Sequence, residues 1–223
     1  MYSKIVDINA RGLLGSFDLT WHLTPGVNIL AGGNGSGKST LLRAVVNKLR
    51  TGKMDDLCAM LMTSLDITTT QSAEDQLIVI ANFDDLVGSD FSFEGVDPSR
   101  KALFFDIIDR LYLRSGKRVV REGAGVRFML GAIEIPFVAL SSGERQVFRL
   151  LYSILVSPEA SILVLDEPEI SLQIDWQKVL LEDILCLNVD LQILVATHSP
   201  AIIMNGWVDC VSEISSLSIT TPV

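Results

Sequence analysis

Residues 32–40 read Gly-Gly-Asn-Gly-Ser-Gly-Lys-Ser-Thr and directly follow an apolar run at 27–31, Val-Asn-Ile-Leu-Ala. The stretch fits the pattern G-x-x-x-x-G-K-[ST], in which glycines let consecutive backbone N–H groups turn inward around a polyphosphate. The apolar run is typical of a buried strand, and residues 41–46 continue as a helix whose N-terminal end favours anions. A glycine-rich hairpin loop is the alternative, but it does not require this strand-then-helix context. The stretch therefore predicts a phosphate-binding loop at a strand–helix junction.

The residue types inside this loop predict separate tasks. Lys38 is expected to bind the β- and γ-phosphates of a nucleoside triphosphate, and the Ser39 hydroxyl is expected to bind Mg²⁺. The other loop residues expected to contact the nucleotide are Gly32, Asn34, Gly35, Ser36, Gly37 and Thr40.

The composition fits one large domain that does not span a membrane. The chain has 223 residues, of which 48% are hydrophobic and 20% charged, and its mean hydropathy is +0.39. This hydropathy has two competing explanations, a mostly parallel sheet covered on both faces or an extensive apolar contact surface. No apolar run reaches the roughly 18–20 residues that span a bilayer, no secretion signal is recognisable, and the three cysteines are scattered. We therefore expect a cytoplasmic protein with reduced thiols and no direct membrane contact.

The net charge of −9 argues against nucleic acid as the main surface partner, since domains that bind it freely are usually basic. The basic cluster of the sequence comprises Arg100, Lys101, Arg114, Lys117, Arg118 and Arg121. Such a cluster is usually a solvated face, although a local basic groove stays open as an alternative. Nucleic acid is therefore a possible partner, not the expected one.

Strand and helix patterns alternate along the chain. Predicted strands cover residues 3–9 (as an edge strand), 17–23, 27–31, 77–82, 161–165 and 192–196, with a short hairpin at 126–135. Predicted helices cover residues 38–49, 98–113, 142–155 and 176–187. Alternating strands and helices imply parallel βαβ units. We expect one domain over residues 1–223, with a variable helical and β insertion at 53–135 where the patterns are weaker.

Two carboxylates, Asp166 and Glu167, follow the apolar strand pattern at 162–165. Asp166 would hold the magnesium shell, and Glu167 would polarise the attacking water. At the carboxyl end of a parallel strand, both would lie in the crevice where open α/β sheets bind ligands. An acidic loop after a buried strand is common by itself, but its combination with the phosphate-binding loop favours a catalytic role.

His198 lies at the end of the next predicted strand, in the segment Ala-Thr-His-Ser-Pro at 196–200. Its position favours a hydrogen bond to the γ-phosphate or to the attacking water over the structural role that a lone histidine usually has. The other histidine, His22, lies on the polar side of an alternating strand and is expected to be exposed.

Residues 140–146, Leu-Ser-Ser-Gly-Glu-Arg-Gln, open a predicted helix. The serine hydroxyls and helix-start N–H groups of Ser141, Ser142, Gly143 and Glu144 form a candidate anion site. A second such site has a use if it caps the γ-phosphate bound to another subunit. The alternative is an N-cap in which Ser141 or Ser142 satisfies the first turn, and both descriptions can hold together.

These four segments together resemble the motifs of an ABC-type ATPase head. In the family's order, they are similar to its Walker A, signature, Walker B and switch-histidine segments, and they anchor residues 1–50 and 138–205. The resemblance implies an α/β fold, a P-loop NTPase with a mostly parallel core sheet, an antiparallel N-terminal β subdomain and a helical insertion. It also implies an ATPase that uses ATP and Mg²⁺, with Glu167 and His198 as catalytic residues.

Residues 166–177, Asp-Glu-Pro-Glu-Ile-Ser-Leu-Gln-Ile-Asp-Trp-Gln, resemble the corresponding segment of the soluble, AAA-labelled ABC-like ATPases. These include the ATPase parts of overcoming-lysogenization-defect proteins and of several phage-defence systems, which carry a histidine where this chain has Gln173. Arg11 lies in a segment similar to one in chromosome-structure and recombination-repair heads, where an arginine approaches the nucleotide. A Q-loop glutamine is expected after the second core strand, with Gln71 and Gln76 as candidates.

The resemblance implies a homodimer that sandwiches two ATP molecules, each between the P-loop of one copy and residues 141–144 of the other. It favours a regulator of a separate effector protein, a nuclease or toxin, in antiviral defence. A DNA-repair or chromosome-type ATPase is the alternative, although no sustained heptads lie between Lys38 and Ser141. The ATP-binding subunit of a membrane transporter is a third hypothesis, which the segment after Glu167 disfavours.

Overall fold

The computed structural model describes residues 4–70, 79–81, 91–157 and 162–219. By their internal contacts these residues form two compact units. The first unit falls within residues 1–83, 159–168 and 190–223, and the second within 84–158 and 169–189. The single domain with an insertion at 53–135 stays a prediction.

Strands and helices alternate through both units. In chain order they are β1 Ile5–Leu13, β2 Phe17–His22, β3 Val27–Ala31, α1 Lys38–Thr51, α2 Asp56–Leu61, β4 Ser64–Thr69, β5 Val79–Ala81, α3 Pro98–Tyr112, β6 Lys117–Glu122, β7 Gly125–Leu130, β8 Ile133–Ile135, α4 Ser142–Val156, β9 Ile162–Asp166, α5 Ile174–Leu187, β10 Gln192–Ala196, α6 Pro200–Ile203, β11 Val211–Glu213, α7 Ile214–Leu217 and β12 Ser218–Ile219. Short 3₁₀ turns lie at Leu113–Ser115, Phe137–Ala139 and Val208–Cys210.

The first unit is built on a parallel sheet with the strand order β11-β3-β10-β9-β5. β3 and β10 are buried along their whole length, which explains why they read as continuous apolar runs rather than alternating ones. The register sets Ala196 of β10 beside both Leu30 of β3 and Asp166 of β9. The carboxyl ends of these three strands therefore meet at one edge of the sheet, as the βαβ pattern predicted.

The first unit also contains an antiparallel sheet with the order β12-β2-β1-β4. The prediction of β1 as an edge strand was wrong, because β1 pairs with β2 on one side and with β4 on the other. β4, Ser-Leu-Asp-Ile-Thr-Thr, was not predicted, since it is short and offers only two apolar residues, of which Leu65 is buried.

Gln192, at the start of β10, ties the two sheets of the first unit together. Its side chain is fully buried. Its Oε1 accepts a hydrogen bond from the Ile5 N–H at 2.7 Å, and its Nε2 donates to the carbonyls of Ile5 at 2.8 Å and Thr24 at 2.7 Å. An apolar residue here would leave three backbone groups unpaired, so the buried amide is a requirement of the fold.

The second unit combines helices α3, α4 and α5 with the antiparallel sheet β6-β7-β8. The predicted start of α3 at Pro98 is confirmed, and Asp97 caps the helix by accepting from the N–H groups of Ser99 and Arg100. The core of the second unit is aromatic and contains Phe91, Phe93, Phe104, Phe105, Phe128, Phe137, Phe148 and Tyr152. Together the two units confirm the predicted fold class, an α/β protein with a parallel sheet and antiparallel strands.

The basic cluster combines exposed side chains, those of Arg114, Arg118 and Arg121, with contacts inside the second unit. Arg100 donates to the carbonyls of Ile154 and Leu187. Arg114 pairs with Asp175, Lys117 pairs with Glu144, and the Arg121 guanidinium lies 4.3 Å from the centre of the Phe105 ring. These contacts account for the cluster by packing and pairing within the unit, and they favour a structural role for it.

Candidate functional site

The loop at 32–37 joins the end of β3 to the start of α1 in a conformation that demands glycine. Gly35 and Gly37 have φ values of 75° and 94°, in the left-handed region. A Cβ on Gly32 would lie 2.6 Å from Cγ2 of Ile214, so this position admits no side chain without rearrangement. The N-cap residue of α1 is Gly37, which has no side chain. Within the described part of the chain, therefore, no side chain caps the first N–H groups of this helix.

Two buried polar groups point to a ligand at this loop. Lys38 is only 4% exposed. Its ammonium donates to the carbonyls of Gly32 at 2.8 Å and Gly33 at 3.0 Å. The Ser36 hydroxyl is buried and has no hydrogen-bond partner among the described residues. A buried cation and an unsatisfied hydroxyl beside open helix-start amides suit an anion.

The Ser39 hydroxyl donates to Oδ1 of Asp166 at 2.8 Å. Ser39 is in the first turn of α1 and Asp166 is the last residue of β9, so the fold joins two residues that are 127 positions apart. A hydroxyl and a carboxylate oxygen are ligands that Mg²⁺ accepts together with phosphate oxygens and water. The two residues predicted to bind magnesium are therefore in direct contact.

Glu167 follows β9 in a strained backbone conformation, with φ at 46°. Its N–H donates to the Ala196 carbonyl at 2.8 Å, which holds this conformation against the end of β10. Its Oε1 lies 3.5 Å from Nδ1 of His198. The predicted base and the predicted histidine are thus neighbours, both at the carboxyl edge of the parallel sheet.

A cavity of about 180 Å³ is lined by Leu14, Gly35, Ser36, Gly37, Lys38, Ser39, Thr40 and Glu167. Pockets that bury whole drug-sized ligands hold about 300–1,000 Å³, so this cavity suits the phosphate part of a nucleotide. Its residues offer amides, an ammonium, hydroxyls and a carboxylate, and this set of groups fits a polyphosphate with Mg²⁺. Leu14 was not among the predicted site residues, and no pattern in its surroundings would have indicated it.

Arg11 is exposed on β1 and is not among the residues that line the cavity. Its carbonyl accepts a hydrogen bond from the Thr63 N–H. Its predicted contact with the nucleotide stays a prediction. Both Q-loop candidates, Gln71 and Gln76, lie outside the described residues.

In the second unit, the start of α4 is closed by its own side chains. The Glu144 N–H donates to Oγ of Ser141 at 3.3 Å, and the Ser141 N–H donates to Oε2 of Glu144 at 2.7 Å. These reciprocal bonds form a capping box, so the predicted N-cap is confirmed. Ser141 and Ser142 are exposed, whereas Gly143 and Glu144 are buried.

Lys117 and Tyr112 hold this helix start from the side. The Lys117 ammonium lies 2.6 Å from Oε2 of Glu144, and the Tyr112 hydroxyl donates to the Glu144 carbonyl at 2.8 Å. Burial opposes ionisation of Glu144, but its bonds from Lys117 and from the Ser141 N–H outweigh that effect and lower its pKa. The Glu144 side chain therefore has structural partners, and its predicted contact with nucleotide stays a prediction.

Gly143 permits close contact between α4 and the segment that follows Glu167. A Cβ at this position would lie 2.2 Å from the Ser171 carbonyl oxygen. Farther along that segment, Gln177 donates to the carbonyls of Glu169 and Leu172, and Trp176 stacks on Tyr112 with ring centroids 6.2 Å apart. The residues Trp176 and Gln177 of the recognised motif are thus structural. Gln173 is the exposed N-cap residue of α5 and makes no side-chain cap.

Comparisons with known proteins agree with this geometry. The AAA_21 family model, described as "AAA domain, putative AbiEii toxin, Type IV TA system", matches residues 128–205. No curated protein sequence matches the chain. None of the helices in the described ranges combines the length and apolar character needed to cross a bilayer.

Solved structures with the same fold cover nearly the whole chain. An SMC head bound to the C-terminal winged-helix domain of ScpA is 14% identical, with a TM-score of 0.64 and coverage of 99% of this chain and 98% of that one. The SMC head domain from Thermotoga maritima is 14% identical, with a TM-score of 0.56 and 99% of each chain covered. A Pyrococcus furiosus protein described as "Putative ABC transporter (ATP-binding protein)" is 18% identical, with a TM-score of 0.57 and coverage of 96% and 100%. The predicted resemblance to ABC-type ATPase heads is therefore confirmed at the level of the fold.

Proposed function

We propose that this chain, which has the fold of an ABC-type ATPase head, binds ATP with Mg²⁺ and hydrolyses the ATP to ADP and phosphate. The contact between Ser39 and Asp166, at 2.8 Å, carries the proposal. It joins the helix that follows the glycine loop to the strand that ends in two carboxylates. Such a junction is what phosphoryl-transfer sites of P-loop enzymes need.

Each residue of the site has a distinct task in the proposed reaction. The loop amides and the Lys38 ammonium would hold the phosphates, and Ser39 and Asp166 would hold Mg²⁺, which when bound would neutralise phosphate charge. Glu167 would orient the attacking water and accept its proton, because its carboxylate lines the cavity. His198, 3.5 Å from Glu167, would keep that carboxylate and the water in position.

We propose further that ATP joins two copies of the chain. Ser141 and Ser142 are exposed at the start of α4 and would contact the γ-phosphate held by a second copy. A nucleotide that binds the dimer better than the monomer shifts the population toward the dimer, and hydrolysis reverses the shift. The fold supports this proposal. The sequence resembles ABC-type heads in the order of its motifs, and that resemblance implies an ATP-sandwiched dimer.

The variant Glu167→Gln tests both parts of the proposal. It should bind ATP without hydrolysing it, and it should elute as a dimer in size-exclusion chromatography with ATP and Mg²⁺. The matched control is Glu134→Gln, which changes a carboxylate with a 56% exposed side chain in the second unit and should behave as the parent does. A Glu167→Gln protein that hydrolyses ATP at the parent rate would refute the base, and one that stays monomeric would refute the sandwich.

We propose that the ATPase regulates a separate effector, a nuclease or toxin, in antiviral defence. The matched family model supports this, because its description names a toxin system, and so does the motif variant at 166–177. The tagged chain, co-expressed with its neighbouring genes, should retain a partner as Glu167→Gln and lose it as Lys38→Ala. Retention by neither variant would contradict the proposal.

A chromosome-type role is the second candidate, because two of the similar structures are SMC heads. This role predicts DNA binding whose affinity falls steeply with salt. The net charge of −9 opposes it, so we expect no such binding at physiological salt. A salt-dependent mobility shift by the ATP-bound Glu167→Gln protein would reverse the order of the two candidates.

In either role we propose that residues 1–223 act as one ATPase domain in the cytoplasm.

A further inference from the structure

Leu14 is one of two non-glycine residues with a positive φ in the described part of the chain, at 53°; the other is Glu167, at 46°. A left-handed backbone is costly for a residue with a bulky side chain and persists only where the surroundings enforce it. Both residues line the same cavity. Backbone strain that concentrates at one cavity indicates that the positions of both side chains matter to its ligand.

The turn around Leu14 is fixed by several hydrogen bonds. The Leu14 N–H donates to the Leu61 carbonyl at 2.7 Å. Two further bonds span it: the Gly15 N–H donates to the Gly12 carbonyl at 2.9 Å, and the Ser16 N–H donates to the Leu13 carbonyl at 3.2 Å. The left-handed conformation of Leu14 is therefore built into the loop between β1 and β2.

This turn places an apolar side chain on an otherwise polar site. A Cβ built on Gly37 would lie 3.4 Å from Cδ1 of Leu14, so the isobutyl group lies directly against the N-cap of α1. Phosphate oxygens gain nothing from a hydrocarbon neighbour, whereas a sugar or base gains by covering it. The cavity of about 180 Å³ suits the phosphate part of a nucleotide, which leaves the nucleoside at its mouth.

We propose that Leu14 is the nucleoside contact of this site, with its isobutyl group packed against the sugar or base of the nucleotide. The inference rests on the proposed ATP-binding function and specifies where the non-phosphate part lies. An isobutyl group offers no donor or acceptor, so this contact favours nucleotides over inorganic polyphosphates without distinguishing adenine from guanine.

The test compares ADP with pyrophosphate, which carries only the phosphate part of ADP. Leu14→Asn suits the test because asparagine tolerates the left-handed backbone but removes the apolar group. Leu14→Met keeps an apolar side chain of similar size and serves as the matched control. Affinity for ADP with Mg²⁺ is measured by calorimetry, affinity for pyrophosphate by displacement of ADP, and folding by thermal melts.

We expect Leu14→Asn to weaken ADP binding by about fivefold, from the loss of a partly buried apolar contact, and to leave pyrophosphate binding unchanged. Leu14→Met, which keeps an apolar side chain, should bind ADP with nearly the affinity of the parent protein. An equal loss of affinity for both ligands would overturn the proposal, because it would show that Leu14 only shapes the loop. Unchanged affinity for both ligands would overturn it as well. If Leu14→Asn does not fold, Leu14→Ala is judged by the same two ligands. Failure of the parent protein to bind either ligand would instead refute the proposed function itself.

Discussion

The starts of α1 and α4 look alike in the sequence and differ in the structure. Both are small polar segments that precede a helix, and both read as anion sites. At α1 the N-cap is Gly37, no side chain caps the helix, and the first turn carries no acidic residue. At α4 the N-cap is Ser141, and Glu144 in the first turn completes a capping box.

The difference shows how one kind of helix terminus serves two purposes. Glycine leaves the first N–H groups of α1 available to a ligand, at the expense of the stability that a cap would give. At α4 the Ser141 hydroxyl already accepts from the Glu144 N–H and the Glu144 carboxylate from the Ser141 N–H, and Lys117 and Tyr112 fix this start further. An uncapped helix start therefore offers its backbone amides to a ligand directly, whereas at α4 the exposed hydroxyls of Ser141 and Ser142 would have to make the contact with a second copy's nucleotide.

The largest effect that would test this comparison is expected at α1. Lys38→Ala removes a buried ammonium that would donate to phosphate. Two charge-assisted hydrogen bonds at roughly 2 kcal/mol each predict nucleotide affinity lower by about a thousandfold. Calorimetry with ADP and Mg²⁺ measures it, and Lys53→Ala, an exposed lysine outside the site, is the control. If Lys38→Ala bound ADP as tightly as the parent protein, the start of α1 would not be the phosphate site.

The next effect is on stability and concerns α4. Lys117 has a side chain that is 16% exposed and Glu144 one that is 3% exposed, so Lys117→Met leaves a buried carboxylate without its cation. We expect the free energy of unfolding to fall by about 3 kcal/mol in denaturant titrations. Arg127→Met breaks exposed pairs with Glu122 and Glu134 and should lower it by less than about 1 kcal/mol. Equal losses in the two variants would mean that the α4 start is not held by this pair.

Gly143→Ala should give a smaller loss of about 2 kcal/mol, because its Cβ would lie 2.2 Å from the Ser171 carbonyl oxygen and force a backbone shift. Gly26→Ala is the matched control, since a Cβ there meets nothing within 4 Å. Thermal unfolding of the two variants measures the difference. If Gly143→Ala melted at the temperature of Gly26→Ala, the close approach of α4 to Ser171 would be wrong.

The smallest effect is a pH dependence at the start of α4, which has no counterpart at α1 because the first turn of α1 carries no acidic residue. The pKa of Glu144 is lower in the folded protein than its ordinary value of 4.5, so its contribution to stability is present above about that pH and is lost as the pH falls through the folded value. Burial raises the pKa of Asp183 to about 6 despite Arg110, and that group acts in the opposite direction. Glu144→Gln should therefore be compared with the parent from pH 7 to 3. We expect the stability gap between them to narrow in acid, and a constant gap would contradict the assignment.

The sequence predicted the parts of the fold that rest on continuous apolar runs. β3, β9 and β10 were found within one residue of their observed ends, because strands buried along nearly their whole length leave an unbroken signal. The contact between Ser39 and Asp166 also follows from the sequence, since β3 and β9 belong to one parallel sheet, on either side of β10, and their carboxyl ends meet at one edge.

What escaped prediction depends on pairings between distant residues. β6 was hidden in a basic cluster whose residues pair across the second unit, and no local pattern links Lys117 to Glu144. β4 was missed because it offers only two apolar residues, Leu65 and Ile67, and β1 was predicted as an edge strand from its loose alternation although it pairs with β4. Leu14 gave no signal, because its role depends on the left-handed turn that sets it beside Gly37.

The central claim, that α1 presents an open helix start and α4 a closed one, is tested most directly by hydrogen exchange of backbone amides. The protein is exchanged with and without ADP and Mg²⁺, and protection is followed at residues 35–40 and 142–145. We predict that ADP protects the amides at 35–40 and leaves those at 142–145 unchanged, because no side chain caps the start of α1, whereas the N–H groups of Glu144 and Arg145 already donate to Ser141. Protection at 142–145 without any change at 35–40 would contradict the account.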